Sequence, residues 1–360
     1  MNYKNTLDTL YKINNSLRKE NGTYIASLGE FYTNFCWWRD TFYQSLPTLK
    51  TSPEQFVQTY HTFLDFLKKY EYKMDYLISN PNDYNNHTAL HPRFYTNLDE
   101  ITPNWGNQQT DAFALMLFGI SIGIKHDLNV IRDDSDRFII EKCIYMYETL
   151  EYCKLKGNDA WEEYDEVHSH ALGSIIKAIT ELGKYNFKYD KDKLELAKIE
   201  LDKLLPNESL TKQVDLAQLQ LIYPLNVVNE EQKKQILNNI EINLVRNNGV
   251  IRYIGDQYYN IASEYSFHSH RSMYLKTVKD QFIGNELEWS FGFAYLSIIY
   301  KKEGDIEKSK YYLDKILNAA GDDLLIPEGY YSKTNIKNEN TPLGWSVALT
   351  ILAIEELYNL

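Results

Sequence analysis

"TSPEQFVQTYHTFLDFLKKY", residues 51–70, decides the fold class. Pro53 suits the first turn of a helix, where its missing N–H costs nothing, and Ser52 with Gln55 has the spacing of a capping box. Phe56, Tyr60, Phe63 and Leu67 then recur at three- and four-residue steps, which places them on one helical face. The same period runs through Tyr3, Leu7, Leu10, Ile13 and Leu17 until Gly22 ends it. It returns roughly over 111–126, 135–153, 165–183, 192–205, 230–245, 288–302, 305–320 and 344–360. No series of alternating strands interrupts these helices. The exception is "RNNGVIRYIGDQYYN", residues 246–260, where Asn248-Gly249 and a short β-branched and aromatic run predict a local hairpin or extended loop.

The class is therefore all-α, either a closed barrel of helix pairs or an open solenoid of the tetratricopeptide kind. "KKEGDIEKSKYYLDKILNAAG", residues 301–321, has the form of one tetratricopeptide hairpin, yet no partner recurs at a fixed period. A 360-residue chain with 44% hydrophobic residues supports a sizeable core, and no shift in composition marks a boundary, so residues 1–360 are expected to form a single domain.

Charge and cysteines exclude several classes. A net charge of −12 with scattered lysines and arginines offers no footprint for nucleic acid. Cys36, Cys143 and Cys153 show no CxxC spacing, which predicts buried thiols in a reducing compartment. The first residues lack the apolar core of a secretory signal and no run reaches transmembrane length, so no membrane is expected and the cytoplasm is the default address. Thirty tyrosines suit a cleft that stacks sugar rings, and equally an aromatic core. Nothing in the pattern fixes an oligomeric state.

"DAWEEYDEVHSH", residues 159–170, admits two readings. Asp159 and Glu162 have capping-box spacing at an acidic helix start. Alternatively, Glu162 is half of a catalytic pair. Cleaving a glycosidic bond needs one carboxylic acid to protonate the departing oxygen and a second carboxylate to activate water or attack the anomeric carbon. Trp161 and the adjacent Glu163 would raise the Glu162 pKa and keep it protonated.

Four further stretches carry residues such a site needs: "FCWWRDTF" (35–42), "NWGNQQTDAFAL" (104–115), "GVIRYIGDQYYN" (249–260) and "LLIPEGYYSKTNIKNENTPLGWS" (324–346). In order and character the five resemble glycoside hydrolase family 15, the glucoamylase-like enzymes, which also includes glucodextranase, some bacterial trehalases and non-enzymatic phosphorylase kinase subunits. The resemblance runs from about Tyr24 to the end. It implies an (α/α)6 barrel with the site in the loops at one end, here a catalytic domain without the N-terminal β-sandwich of many bacterial members.

The resemblance also implies roles. Glu162 matches the general acid and Glu328 in "IPEGYY" the general base, with exchange of roles between Glu162 and Glu163 the main internal alternative. The family inverts configuration, which requires the two carboxyl groups to stand about 6.5–9.5 Å apart around a water. Arg39 and Asp40 would grip hydroxyls of the terminal sugar and make the enzyme exo-acting. Trp105 and Trp161 would flank the sugar, Glu163 would stay ionised, and Arg252 and Asp256 would line the pocket. Asp111 matches an acid of the second motif with a structural role. The expected substrate is an α-glucan or small α-glucoside such as a malto-oligosaccharide, its linkage left open. A non-catalytic carbohydrate-binding or regulatory protein on the same barrel is the alternative.

Two departures stand out. Asn107-Gln108 replaces an Arg-Pro common in the family and removes a cation from near the pocket. Residues 261–287 form an insertion near the site. Paired HSH sequences at His168/His170 and His268/His270 invite a metal. Spacing of two on a helix, however, turns the rings apart, and no cysteine or carboxylate set in the sequence completes a shell, so no metal and no cofactor are expected. Phosphate-binding glycine loops and a nucleophile elbow are missing, which sets aside kinase, dehydrogenase and serine-hydrolase readings.

Overall fold

The computed structural model describes residues 3–30, 32–101, 105–163, 165–262 and 280–360. Its helices are α1 (Tyr3–Ser16), α2 (Trp38–Ser45), α3 (Thr48–Thr51), α4 (Pro53–Lys69), α5 (Glu71–Ser79), α6 (Thr110–Lys125), α7 (Asp134–Thr149), α8 (Ser169–Gly183), α9 (Lys191–Leu204), α10 (Leu219–Ile222), α11 (Glu230–Asn243), α12 (Phe291–Lys302), α13 (Ile306–Ala320) and α14 (Gly344–Tyr358). They fall into two compact units: Lys19–Thr23 with Cys36–Leu210, and Met1–Arg18 with Tyr24–Phe35 and Thr211–Leu360.

In the Cys36–Leu210 unit, α6 is the central support. "TDAFALMLFGISIGIK" is apolar around nearly its whole circumference, so burial rather than amphipathicity is its stable state. Helices α2, α4 and α8 pack against it, while α5 packs on α7 and α9 on α8. Trp38 locks the start of α2 by stacking on Phe94 at 4.2 Å and meeting Phe63 and Phe66 edge-on at 5.1 Å each. Gly119 lets α6 and α4 approach closely, because a Cβ there would lie 1.8 Å from the Tyr60 hydroxyl oxygen.

In the Thr211–Leu360 unit, α12 packs on α13 and α14, α1 lies against α14, and α10 against α12. The tetratricopeptide-like stretch is the α12–α13 hairpin, turning at Gly304 with φ +84°. Asn248-Gly249 makes the predicted tight turn, with Arg246 N–H donating to the Gly249 carbonyl at 2.8 Å. Glu288–Trp289 and Gly329–Tyr330 form a two-stranded antiparallel pair.

Three local expectations change. The helix expected from 288 starts at Phe291, because Trp289 exchanges backbone hydrogen bonds with Val250 at 3.0 Å each. The helix expected from 165 starts at Ser169, and residues Asp159–Trp161 make a single 3-10 turn whose N-terminus Asp159 does not cap. Ser52 precedes α4 as predicted, but its side chain makes no capping bond. All three cysteines are free and buried. Among the described residues, no helix is long and apolar enough to cross a membrane.

The Gly119 contact yields a stability prediction. Gly119→Ala gains about 1 kcal/mol of helix propensity, but it forces the α4–α6 contact apart at an overpacking cost of about 1–3 kcal/mol. Urea unfolding should therefore show neutral to net destabilisation. A gain of the full propensity term would disprove the close contact.

Candidate functional site

In the Cys36–Leu210 unit, the acid segment follows the 3-10 turn Asp159–Trp161. Asp159 and Glu162 both adopt left-handed backbone, with φ 44° and 61°, a conformation costly for non-glycine residues and held here by surrounding bonds. Glu162 N–H donates to the Asp159 carbonyl at 3.1 Å, and Asn158 and Glu163 bond through their backbones at 3.2 Å. Asn158 Nδ2 adds a bond to the Glu163 carbonyl at 2.6 Å. The Glu162 carboxyl Oε1 accepts the indole N–H of Trp37 at 2.8 Å. Gly106 is needed where it stands, since a Cβ there would approach the Glu162 carbonyl oxygen to 2.9 Å. Trp161 is buried beside these groups.

Trp105 lies under the Arg93 guanidinium, 3.9 Å from its ring centroid, and Arg93 also reaches the Trp37 ring at 5.6 Å. A cation therefore does reach this wall, from the short strand Arg93–Tyr95 instead of from the residues after Trp105-Gly106. That contribution was not legible in the motif itself.

Arg39 is buried in the first turn of α2. Its Nε and Nη2 donate to the two carboxylate oxygens of Asp111 at 2.6 and 2.9 Å, and Nη2 also donates to Gln109 Oε1 at 2.9 Å. Asp40, its neighbour in sequence, is buried too, but the carboxylate that grips Arg39 is Asp111. The bidentate fork fixes the guanidinium plane and leaves Nη1 outside these bonds. Burial pushes the Asp111 carboxyl up, yet Arg39 and His170 outweigh it and hold the group well below the usual carboxylate range.

His168, His170 and Glu208 bring one ligand-type atom each to within 4.8 Å of one another, a set in which Glu208 lies far from the HSH motif in sequence. Four-coordinate zinc with ligands at about 2.0–2.1 Å spaces them about 3.3 Å apart. His170 Nδ1 and Glu208 Oε1 form a direct hydrogen-bonded pair at 2.5 Å, closer than two ligands of one zinc, so a cation would require this pair to open.

In the Thr211–Leu360 unit, Glu328 sits where the chain enters Gly329–Tyr330. Its N–H donates to the Asn340 carbonyl at 2.9 Å and its carbonyl accepts from Ser290 N–H at 3.1 Å. Its carboxylate is nearly sealed, with 3% of the residue exposed. Oε2 accepts from Asn338 Nδ2 and Asn340 Nδ2 at 2.7 Å each and from the Tyr258 hydroxyl at 3.0 Å. Among the described residues Oε1 accepts only from the Tyr32 hydroxyl, at 3.2 Å, and the two tyrosine oxygens are 2.9 Å apart. Burial raises the carboxyl above the ordinary glutamate value, while Asn340, Asn338, Tyr258 and the Arg252 charge restrain the rise.

Arg252 and Asp256 pair with each other. Arg252 Nε and Nη2 reach the two Asp256 oxygens at 2.6 Å each, and Asp256 Oδ1 also accepts Tyr258 N–H at 3.0 Å. Arg252 lies 4.8 Å from the Tyr258 ring centroid. Together they hold Tyr258, so both of the expected pocket residues reach Glu328 through a tyrosine that no motif singled out. Tyr32, Asn338 and Asn340 were missed as direct partners of Glu328 as well. Residues 263–279 of the expected insertion lie outside the described residues. Its ends meet, with Ile261 N–H donating to the Asn285 carbonyl at 3.2 Å.

No family model matches the sequence. A probable phosphorylase b kinase regulatory subunit alpha from Caenorhabditis elegans is 25% identical over 294 residues, 74% of this chain and 22% of that protein. The chain thus spans about a fifth of the length of this curated relative. Among solved structures, a wild-type glycosidase matches with a TM-score of 0.79 at 17% identity, covering 99% of both chains. A glycosidase variant in complex with glucose matches at 0.80 and 17%, again over 99% of both. A glucoamylase from Saccharomycopsis fibuligera matches at 0.68 and 15%, over 99% of this chain and 95% of that one. The resemblance carried by the five sequence stretches is thus found again in the fold, which is the all-α, glucoamylase-like (α/α)6 barrel.

Proposed function

We propose that the chain is a glycoside hydrolase of the glucoamylase type, a single catalytic domain that releases glucose with inversion from the non-reducing end of α-linked glucosides such as malto-oligosaccharides. The observation that carries this reading is Glu328, a buried carboxylate with, among the described residues, three donors on one oxygen and a single hydroxyl on the other. Such an arrangement fixes the carboxylate in place, and its raised pKa makes it a better proton acceptor than an ordinary glutamate.

In this proposal Glu162 is the general acid and donates its proton to the glycosidic oxygen as the C1–O bond breaks. Glu328 is the general base, taking a proton from the water whose oxygen bonds to C1 on the opposite face; the product is the β-anomer. Arg39, oriented by Asp111, and Asp40 hold hydroxyls of the terminal sugar. Trp105 and Trp161 flank it, and Glu163 stays ionised to orient the acid segment. Arg252 and Asp256 set Tyr258 against the base. The insertion proposed at residues 261–287 is supported at its ends, where Asn260 Nδ2 donates to the Asp256 carbonyl at 2.7 Å and to the Phe282 carbonyl at 2.9 Å. The buried free cysteines agree with a reducing, cytoplasmic setting.

A second reading is favoured by the nematode relative named as a regulatory subunit: the same barrel without turnover, binding carbohydrate or a partner. Turnover separates the two. Glu162→Gln and Glu328→Gln keep shape while removing acid or base, and each should lower kcat on maltose by about 10²–10⁴-fold with circular dichroism unchanged. Near-wild-type turnover in either variant would refute that residue's role.

The pH profile supplies an independent check. Glu328 must be ionised to act, and its pKa is raised from 4.5, so the acid limb of kcat/KM should fall above that value. Asn340→Ala removes a donor to the ionised form and should move the limb further up; a downward shift would contradict the assignment.

A further inference from the structure

Between the Arg39 fork and the Glu162 turn, the Cys36–Leu210 unit buries a row of charges of which the proposed chemistry uses only Asp111. Asp111 Oδ2 lies 3.8 Å from His170 Nε2, and His170 Nδ1 lies 2.5 Å from Glu208 Oε1. The same Glu208 oxygen is 3.3 Å from His168 Nδ1, and His168 Nε2 is 3.8 Å from Asp159 Oδ2. None of the five side chains is more than 6% exposed. The second Glu208 oxygen accepts the Ser169 hydroxyl at 2.6 Å, and the Glu208 carbonyl accepts Ser169 N–H at 2.7 Å where α8 begins. Thr110 Oγ1 approaches Asp159 at 3.4 Å.

Charge balance explains the composition of the row. Asp111, Asp159 and Glu208 buried with Arg39 alone would leave two uncompensated negative charges in a sealed interior, which is prohibitive. Two imidazolium rings bring the sum over these six groups to zero. The proton affinities point the same way. Burial lowers His170, but Glu208 and Asp111 outweigh it and raise it well above its ordinary value; His168 is raised against burial by Glu208 and Asp159. Burial lifts Glu208, but the two rings bring it down to about 2. Asp159 is the exception: burial takes it up to about 6, with His168 pulling against the rise and Asp111 adding to it.

We infer that Glu208, His168 and His170 are positioning residues, a buried ionic row that fixes Asp111 and Arg39 at one end and the Asp159–Glu162 turn at the other. Its kinetic consequences rest on the proposed hydrolase reading. Both rings present Nδ1 to Glu208 and Nε2 to an outer carboxylate. An asparagine at either position reproduces the Nδ1-side donor and deletes only the charge and the outward contact. The two ends should therefore separate. His170→Asn loosens the sugar grip and raises KM, while His168→Asn misplaces the acid and lowers kcat. Glu208→Gln, at the centre, does both.

The experiment combines maltose kinetics with nitrogen-15 histidine NMR at pH 7. His170→Asn should raise KM about tenfold or more with kcat nearly unchanged, and His168→Asn should lower kcat by a similar factor at nearly constant KM, since small misplacements cost up to about 10²-fold. In wild-type protein both rings should carry two protonated nitrogens, and in Glu208→Gln at least one ring should become neutral. Folded variants with wild-type kcat and KM would overturn the inference, as would variants that lose only thermal stability. Neutral rings in the wild type would overturn it even where a variant fails to fold. Stoichiometric zinc uptake abolished by His168→Asn would assign the cluster to a metal and likewise overturn it. If the wild type turns over neither maltose, isomaltose, trehalose nor longer glucans, that counts against the hydrolase reading, and the ring protonation then decides the row by itself.

Discussion

The bidentate ion pair between Arg39 and Asp111 is the constraint on which the Cys36–Leu210 unit turns. It joins the first turns of α2 and α6, and both groups are almost fully buried. Removing either partner would leave an uncompensated charge and cost about 3–5 kcal/mol. The pair therefore works only if the rest of the interior matches it. Gln109 takes a second contact from the guanidinium, His170 approaches the same Asp111 oxygen that accepts Arg39 Nε, and the His–Glu–His row carries the balance on toward the turn that holds Glu162. A site built this way gains fixed geometry from the same bonds that make burial tolerable.

Glu328 solves the same problem with neutral donors. Two asparagines and two tyrosines surround its carboxylate, and the buried Arg252, whose charge acts on it, is itself paired with Asp256. Neutral donors satisfy the oxygens without lowering the proton affinity as far as a direct ion pair would. The contrast with Asp111 is instructive. A structural carboxylate is held far below its ordinary pKa, whereas the proposed base is kept above it. Environment alone thus moves two carboxylates in opposite directions, as their proposed tasks require.

The helical fold was legible because apolar residues recur with the period of a helix and because Pro53, Gly304 and Asn248-Gly249 punctuate the chain where the turns fall. The two-residue strand at Glu288–Trp289 was not, since its stability comes from Val250 and Gly329–Tyr330, distant in sequence. Arg39, Glu162 and Glu328 could be singled out by motif. Tyr32 and Tyr258 could not, because a tyrosine that donates to a carboxylate looks in sequence like any other of the thirty. Glu208 was hidden for a related reason: the HSH motif shows two rings, and the carboxylate that unites them lies 38 residues from His170. The capping-box spacing of Asp159 and Glu162 misled in the opposite direction, as tertiary bonds draw the segment into left-handed backbone before any helix starts.

The central claim is that this barrel performs inverting hydrolysis of α-glucosides. Proton NMR of the anomeric signals, recorded before mutarotation with maltose, maltotriose, isomaltose and trehalose, tests it most directly. The account predicts initial β-glucose from at least one of these substrates. Initial α-glucose would contradict inversion, and absence of release from all four and from longer glucans would contradict hydrolysis itself.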